Sequence, residues 1–240
     1  MRGPFHVRTA CGSFLNMFET GRSATKSERT RAKISSAAIT SFLEHGYADT
    51  TMRSIAEAAG VSVGNAYYYF PSKNHLVQDL YERVQQDHAS VARPLLATER
   101  TLVGRLRVVI ETGLSTLGPY HRIAPGFLTA MVSPDSPLHP LSVESSAARS
   151  MTVALFREAV EGADRGLPDD IAPLLPDALF TLYLALVLRW TYDGSPGQER
   201  TARLLNAGLR MLGLAVPFLR VPVLRRAARE LLDLVAEVRS

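Results

Sequence analysis

The 240-residue chain has one cysteine, Cys11, so no disulfide can close within it. A metal site would have to rely on His, Asp or Glu. The six histidines are scattered, and no two stand i, i+4 apart. Catalytic signatures are missing as well. Gly113-Leu114-Ser115 is followed by Thr116 and Leu117, so no nucleophile elbow forms. Phosphate-cradling glycine loops and an H-E-x-x-H pair are absent. These absences predict a protein that is not an enzyme and that has no metal and no cofactor. The low cysteine usage suits a reducing cytoplasm.

Long apolar runs are also lacking. The longest, Ala178 to Leu188, lies between Asp177 and Arg189 and falls well short of the roughly 18 residues a membrane span needs. It reads as a buried helix, and no membrane partner is expected. Near the N-terminus, the apolar cluster of Phe14, Leu15, Met17 and Phe18 is broken by Asn16 and stopped by Glu19. That pattern is a poor secretory signal.

What is present is an ordinary globular composition, 46% hydrophobic and 21% charged. At roughly 150 residues per domain, one or two domains fit. The net charge of +4 is unevenly placed. Residues 1–76 carry nine basic and five acidic residues, and the remainder carries eighteen of each. The excess points to a polyanion partner for the N-terminal third. An incidental basic tail is the alternative.

Sustained period-2 alternation is missing, whereas period-3.6 patterns recur, which predicts an all-α fold. Residues 1–25 lack periodicity and read as a disordered arm, with Met17 an alternative start. From Lys26, Ile34, Ala37, Ala38, Ser41 and Phe42 mark one helical face, and Gly46 suits a C-terminal cap. Thr50 or Thr51 can cap a second helix whose inner face is Met52, Ile55, Ala56 and Ala59. Gly60 breaks it. Ser62 can cap a third helix, with Val63, Ala66, Tyr67 and Phe70 inward. Pro71 ends that helix, and Ser72 can cap a fourth that runs through Leu76, Leu80 and Val84 to about Ala92, before Pro94. Further helices are expected over 101–117, 120–132, 140–162, 173–192, 198–216 and 220–238.

Residues 52–70 carry the chemistry. Two short helices joined by Gly60-Val61-Ser62 have the spacing of a helix-turn-helix. The outward residues of the third helix, Ser62, Gly64, Asn65, Tyr68 and Tyr69, bear no negative charge. Asn65 can read a base edge, and the tyrosines can donate to phosphates. Gly64 permits close backbone approach. Arg53 and the amides at the start of the second helix can meet bases or phosphate. Lys73 suits a phosphate, or is a solvated lysine. Arg29, Arg31 and Lys33 add general attraction. Thr51 is first a cap and second a phosphate contact. Tyr67 is either a core residue with its hydroxyl at the rim or a DNA contact. Tyr68 and Tyr69 can alternatively serve a protein interface.

The stretch from Thr50 to Lys73, TTMRSIAEAAGVSVGNAYYYFPSK, resembles the DNA-binding domain of the TetR family of repressors. The likeness runs from about Ser27 to Val84 and includes Phe42-Leu43-Glu44-His45-Gly46-Tyr47. Two positions depart from the family pattern. His75 stands where an acidic capping-box residue is frequent, and Tyr69 stands where His is frequent. The resemblance implies an N-terminal three-helix DNA-binding domain over 26–75 and a C-terminal helical ligand-binding and dimerisation domain over 76–240. It implies a ligand-responsive transcriptional regulator, a repressor, bound as a homodimer to a pseudo-palindromic operator in double-stranded DNA and released by a small-molecule effector.

The C-terminal part carries no specific motif. Leu102, Val103, Leu106, Val109, Ile110, Gly113, Leu114 and Leu117 form a helical stripe that reads as core. Thr112, Ser115, Thr116, Tyr120, His121, Phe127, Met131, Phe156 and Tyr183 are the candidates for a ligand pocket. The family dimerises through its last two long helices, which maps onto about 174–192 and 198–218. Leu182, Trp190, Tyr192, Leu205, Gly208 and Leu212 are the interface candidates, with intrachain core the alternative for Trp190 and Tyr192. In the last helix Leu224, Leu231, Leu234, Val235 and Val238 are expected inward, and Arg225, Arg226 and Arg229 in solvent. Two other functions fit parts of the pattern: a non-specific architectural DNA-binding protein, or a helical protein–protein adaptor.

Overall fold

A computed structural model describes residues 25–131, 136–164 and 166–237. The arm expected over 1–25 lies outside these apart from Thr25, as do Met17, Cys11 and Val238. The described residues form ten α-helices and no strand. They are α1 (Lys26–Asp49), α2 (Met52–Ala58), α3 (Val63–Tyr69), α4 (Lys73–Leu96), α5 (Leu102–Leu117), α6 (Ala124–Met131), α7 (Ser146–Glu161), α8 (Leu175–Thr191), α9 (Glu199–Ala215) and α10 (Pro222–Glu237). Short 3-10 turns follow α5, precede α9 and follow α9.

Three boundaries differ from expectation. α4 continues through Pro94 to Leu96. Proline costs one donor, and beyond it the helix runs on to its cap, where Ala97 donates to the Arg93 carbonyl at 3.0 Å. α6 begins at Ala124, after a 3-10 turn over Gly118–Tyr120. α7 begins at Ser146 rather than near 140, because the preceding residues close turns. There Ser142 Oγ donates to the Pro137 carbonyl at 2.9 Å, and Arg149 reaches the carbonyls of Pro140 and Ser142 at 3.1 Å each.

Two hydrophobic cores form, and α4 belongs to both. The N-terminal core joins Ile34, Phe42, Ile55, Ala66 and Phe70 to Leu76, Leu80 and Val84 of the first half of α4. The C-terminal core takes Ala89, Ala92 and Leu96 from its second half and adds α5, α7, α8 and α9. The expected division at 75–76 therefore falls at the head of a helix common to both. Asp79, 6% exposed, fastens α4 to α1. It accepts from Ser35 Oγ and pairs with Arg31 at 2.6 Å and Arg83 at 2.7 Å.

Buried polar groups close the corners of the C-terminal domain. The guanidinium of Arg105, 8% exposed, donates to the carbonyls of Leu96, Glu99, Glu158 and Ala159. Helix C-termini leave such carbonyls unpaired, so one cation joins the ends of α4 and α7. Asp193 caps the start of α9, accepting from the Thr201 amide and hydroxyl, both at 2.7 Å. Burial raises its carboxyl pKa, but the bonds from Ser195 and Thr201 outweigh that and hold it well below the usual range.

α10 departs from its expected orientation. Leu224, Leu231 and Leu234 are exposed, and only Ala228, Leu232 and Val235 are half-buried. Its arginines are paired with Asp170, Glu230 and Asp233. One stretch among the described residues, Pro196–Arg220, is long and apolar enough to cross a membrane by length and composition. A search for unbroken apolar runs passes over it, because Arg203 and Arg210 interrupt the pattern.

Candidate nucleic-acid interface

α1 kinks at Gly46, which takes φ +82°, a left-handed conformation that glycine adopts without steric cost. The next residues are held from two sides. Thr50 Oγ1 donates to the carbonyls of Gly46 at 2.7 Å and Ser41 at 3.2 Å. Lys73 Nζ donates to the carbonyls of Tyr47 at 2.6 Å, Thr50 at 2.9 Å and Ala48 at 3.4 Å. It also stands 4.1 Å from the centre of the Tyr47 ring. Partial burial lowers the Lys73 ammonium pKa, against the raising effect of Asp49. Lys73 is thus half-buried and bonded rather than free: it clasps the end of α1.

Thr51 and Ser54 form a reciprocal capping box at the head of α2, with bonds of 3.1 and 3.0 Å. The Thr51 hydroxyl and the Ser54 amide are therefore occupied. α2 stops in a Schellman turn. Val61 N–H donates to the Ala56 carbonyl at 3.0 Å and Gly60 N–H to the Glu57 carbonyl at 2.9 Å, with Gly60 at φ +60°. Ser62 then caps α3, accepting from the Asn65 amide at 3.2 Å.

The register of α3 differs from expectation. Ala66 and Phe70 are buried, but Val63 and Tyr67 are 37% and 48% exposed. The tyrosine that packs against the core is Tyr69, which is half-buried, with its hydroxyl 3.2 Å from Ser27 Oγ. Helical geometry gives the reason. Tyr67 stands about 100° round the helix from Ala66, whereas Tyr69 stands about 60° from it on the other side. Gly64, Asn65, Tyr67 and Tyr68 remain in solvent, and Tyr68 is 79% exposed. A Cβ at Gly64 would meet nothing within 4 Å. Arg53 is exposed, and it makes no ion pair among the described residues. Arg29 and Lys33 are likewise exposed and unpaired there. Arg31 is committed to Asp79 and lies over the Phe70 ring at 4.9 Å.

The C-terminal candidates separate into groups rather than lining one space. Tyr120, Phe127 and Met131 pack on the N-terminal core. Phe127 stands 5.6 Å from Phe42 and 5.5 Å from Tyr47, ring centre to ring centre, which joins α6 to α1. Arg122 reinforces that join by donating to the Leu43 carbonyl at 2.6 Å. His121 donates from Nε2 to the Trp190 carbonyl at 2.9 Å, its ring edge-on to the indole. Thr112 and Thr116 donate back to their own helix, and Ser115 is exposed. Phe156 and Tyr183 are buried together in the C-terminal core. Two surface hollows lie elsewhere. One of about 340 Å³ runs between α1 and α2, lined by Thr40, Glu44, His45 and Asp49. Another of about 630 Å³ lies between α5 and α9, lined by Arg107, Arg203, Asn206 and Arg210.

The interface candidates divide too. Leu182 and Tyr192 are 67% and 63% exposed, Gly208 is exposed and Leu212 half-buried. Trp190 and Leu205, at 4% and 7%, are intrachain core. The exposed set extends to Leu188, Leu204, Met211, Leu214 and Phe218, which the sequence reading omits.

A capped pair of short helices, with a tight turn and an outer helix whose polar face is free, defines a helix-turn-helix DNA-binding protein. Residues 34–80 match the model described as bacterial regulatory proteins, tetR family, and residues 105–232 match the tetracyclin repressor-like C-terminal domain. The second match alone spans more than half of the chain, and the chain belongs to the TetR family of transcriptional regulators.

Among its relatives is the HTH-type transcriptional regulator TtgR of Pseudomonas putida, 40% identical over 72 residues, which cover 30% of this chain and 34% of that one. The HTH-type transcriptional repressor KstR of Mycolicibacterium smegmatis is 39% identical over 84 residues, covering 35% and 40% respectively. These matches thus span well under half of the relatives' length. Over most of the chain the fold is like that of Thermus thermophilus FadR, a structure in complex with lauroyl-CoA, with TM-score 0.55 and 26% identity, covering 73% of this chain and 92% of that one. The fatty acid degradation regulator FadR from Bacillus halodurans has the same fold, with TM-score 0.58, 18% identity and coverage of 78% and 97%.

Proposed function

We propose that this chain is a ligand-responsive repressor that binds a pseudo-palindromic operator as a homodimer in the cytoplasm. The observation that carries the reading is the free face of α3. Gly64, Asn65, Tyr67 and Tyr68 stand in solvent on a helix fixed from behind by Ala66, Tyr69 and Phe70. Such a face offers an amide for a base edge and hydroxyls for phosphate, with close backbone approach at Gly64. Arg53, Arg29 and Lys33 supply unpaired positive charge beside it. Ser62 and Thr51 position the two helices through their caps, and Lys73 fixes the loop that precedes α2.

The apolar stripe of α8 and α9 supports the homodimer. Leu182, Ala185, Leu188 and Tyr192 follow i+3/i+4 spacing along α8 and its C-cap, and Leu204, Gly208, Met211 and Ala215 along α9. An exposed face of this kind calls for a partner, and a second copy places two α3 helices about 34–36 Å apart. The DNA-binding unit is then 26–75, and 76–240 senses and dimerises. A small-molecule effector acts through α4, the helix both cores contain, and the lauroyl-CoA complex of Thermus thermophilus FadR supports a small-molecule effector for this chain. A coupling of about 1–3 kcal/mol lowers operator affinity about 5–150-fold.

Footprinting of the purified protein on the DNA upstream of its own gene tests the reading. A protected inverted repeat is expected. Protection without sequence preference favours the architectural alternative, and no DNA affinity favours the adaptor.

A further inference from the structure

A polar cluster lies in the C-terminal core, at the meeting of α4, α5, α7 and α8. Gln85, His88, Thr152 and Tyr183 come together there. His88, 1% exposed, donates from Nε2 to the Val109 carbonyl at 2.9 Å and turns Nδ1 toward the Gln85 carboxamide at 3.4 Å. Thr152 Oγ1 donates to Gln85 Oε1 at 2.7 Å. Tyr183 is 5% exposed, and its hydroxyl is buried with no hydrogen-bond partner among the described residues. Gly113 makes room for it. A Cβ there would collide with the Tyr183 oxygen and stand 3.1 Å from His88 Cε1. Burial lowers the His88 pKa, against the raising effect of the Val109 bond, and pushes the Tyr183 phenol up.

A buried hydroxyl without a partner is destabilising, and native structures keep few of them. Within this cluster Tyr183 alone has that deficit. The partners of its members are carbonyls, a carboxamide, a hydroxyl and the Phe156 ring, none of them charged. A carboxylate or ammonium brought here would lose its hydration with no opposite charge to compensate it, a far larger cost than burying an uncharged group.

We propose that the Tyr183 hydroxyl, beside His88 and Gly113, is the recognition point for a largely apolar effector bearing one uncharged oxygen function, a carbonyl or a hydroxyl. The proposal rests on the reading of the chain as a ligand-responsive regulator. The apolar body of the effector displaces side chains that now close the core, Phe156 and Leu186 among them. His88 and Gln85 project from α4, so the displacement is felt by the helix that carries the DNA-binding unit. Selectivity follows from charge: neutral molecules bind and their ionised counterparts are refused.

Trp190, the single tryptophan, lies on α8 seven residues beyond Tyr183 and reports binding to the full chain without DNA. Octan-1-ol and octanoate at pH 7 are matched probes that differ in charge. A saturable fluorescence change is expected with the alcohol, at an affinity at least about tenfold above that for the carboxylate. Tyr183→Phe is expected to weaken alcohol binding about 3- to 10-fold, the loss of one hydrogen bond. Its Tm should be unchanged or higher, because the deleted hydroxyl had no partner. Equal affinities for the two probes, no saturable binding of the alcohol, or a lower Tm for Tyr183→Phe would overturn the proposal. Footprinting of the ligand-free wild type, run in parallel, tests the regulator reading separately from probe binding.

Discussion

Two of the faces that leave large side chains in water, α3 and the α8–α9 face, are opposite in chemistry. α3 shows a glycine, an amide and two phenols, with arginine and lysine nearby. α8 and α9 show leucine, methionine and tyrosine carbons. The first keeps its polar atoms hydrated until an equally polar partner replaces that water. The second gains from being covered by any well-fitted apolar surface, at about 25 cal/mol for each Å² removed from water. Exposure alone therefore says little; the kind of atom exposed distinguishes a face suited to a polar partner from a face suited to an apolar one.

The largest effect is expected on the apolar face. Replacing both Leu204 and Met211 by Glu should yield monomers in sedimentation. Operator affinity should fall by about 10²–10⁴-fold, because two heads no longer bind as one unit. If that variant stays dimeric, the α8–α9 face is not the interface.

On the polar face, Asn65→Ala should lose about 1–3 kcal/mol at particular base pairs and relax specificity there, as read by competition with substituted operators. Arg53→Ala should weaken all sequences more evenly and reduce the salt slope by about one. An Asn65→Ala variant with unchanged base preference would remove α3 from the groove.

Lys73 separates structure from contact. It is held by three carbonyls, so Lys73→Met should lower Tm, reflecting about 1–3 kcal/mol of stability lost for the acceptors left behind. The salt slope of DNA binding should stay the same. A fall of one in that slope with unchanged Tm would return Lys73 to the phosphate contacts.

The smallest effect concerns pH. His88 is held below its ordinary value of 6.5 by burial. The unfolded chain therefore takes up a proton that the folded chain refuses, and stability falls as pH drops below about 6.5. Above that pH both states are neutral and the contribution is fully present. His88→Gln should flatten the fall when Tm is followed between pH 7 and pH 5.

Local features of the fold were legible in the sequence. The left-handed glycines at 46 and 60 and the caps at Thr51 and Ser62 depend on neighbours within a few residues, although α1 kinks at Gly46 and runs on to Asp49. The all-α class followed from periodicity, and the TetR likeness from residues 50–73. The register of α3 was harder. Seven residues make two turns, and three consecutive tyrosines offer no contrast in hydropathy, so Tyr67 and Tyr69 exchanged places. Long-range contacts had no local signal. Nothing near Phe127 announces that it packs against Phe42, and nothing near Arg31 or Lys73 shows that their charges are spent inside the protein. The inward face of α10 was misjudged for a related reason: a stripe of leucines is visible in sequence, but whether its own subunit covers that stripe is not.

The central claim is that two α3 helices, set by a dimer of the α8–α9 face, read one operator. Selecting DNA from a random pool with the wild-type protein tests it most directly. The account predicts enrichment of an inverted repeat whose half-site centres lie about one helical turn, or a multiple of it, apart, with two chains on each DNA. Recovery of sequences with no common motif, or of a single half-site bound by one chain, would contradict it.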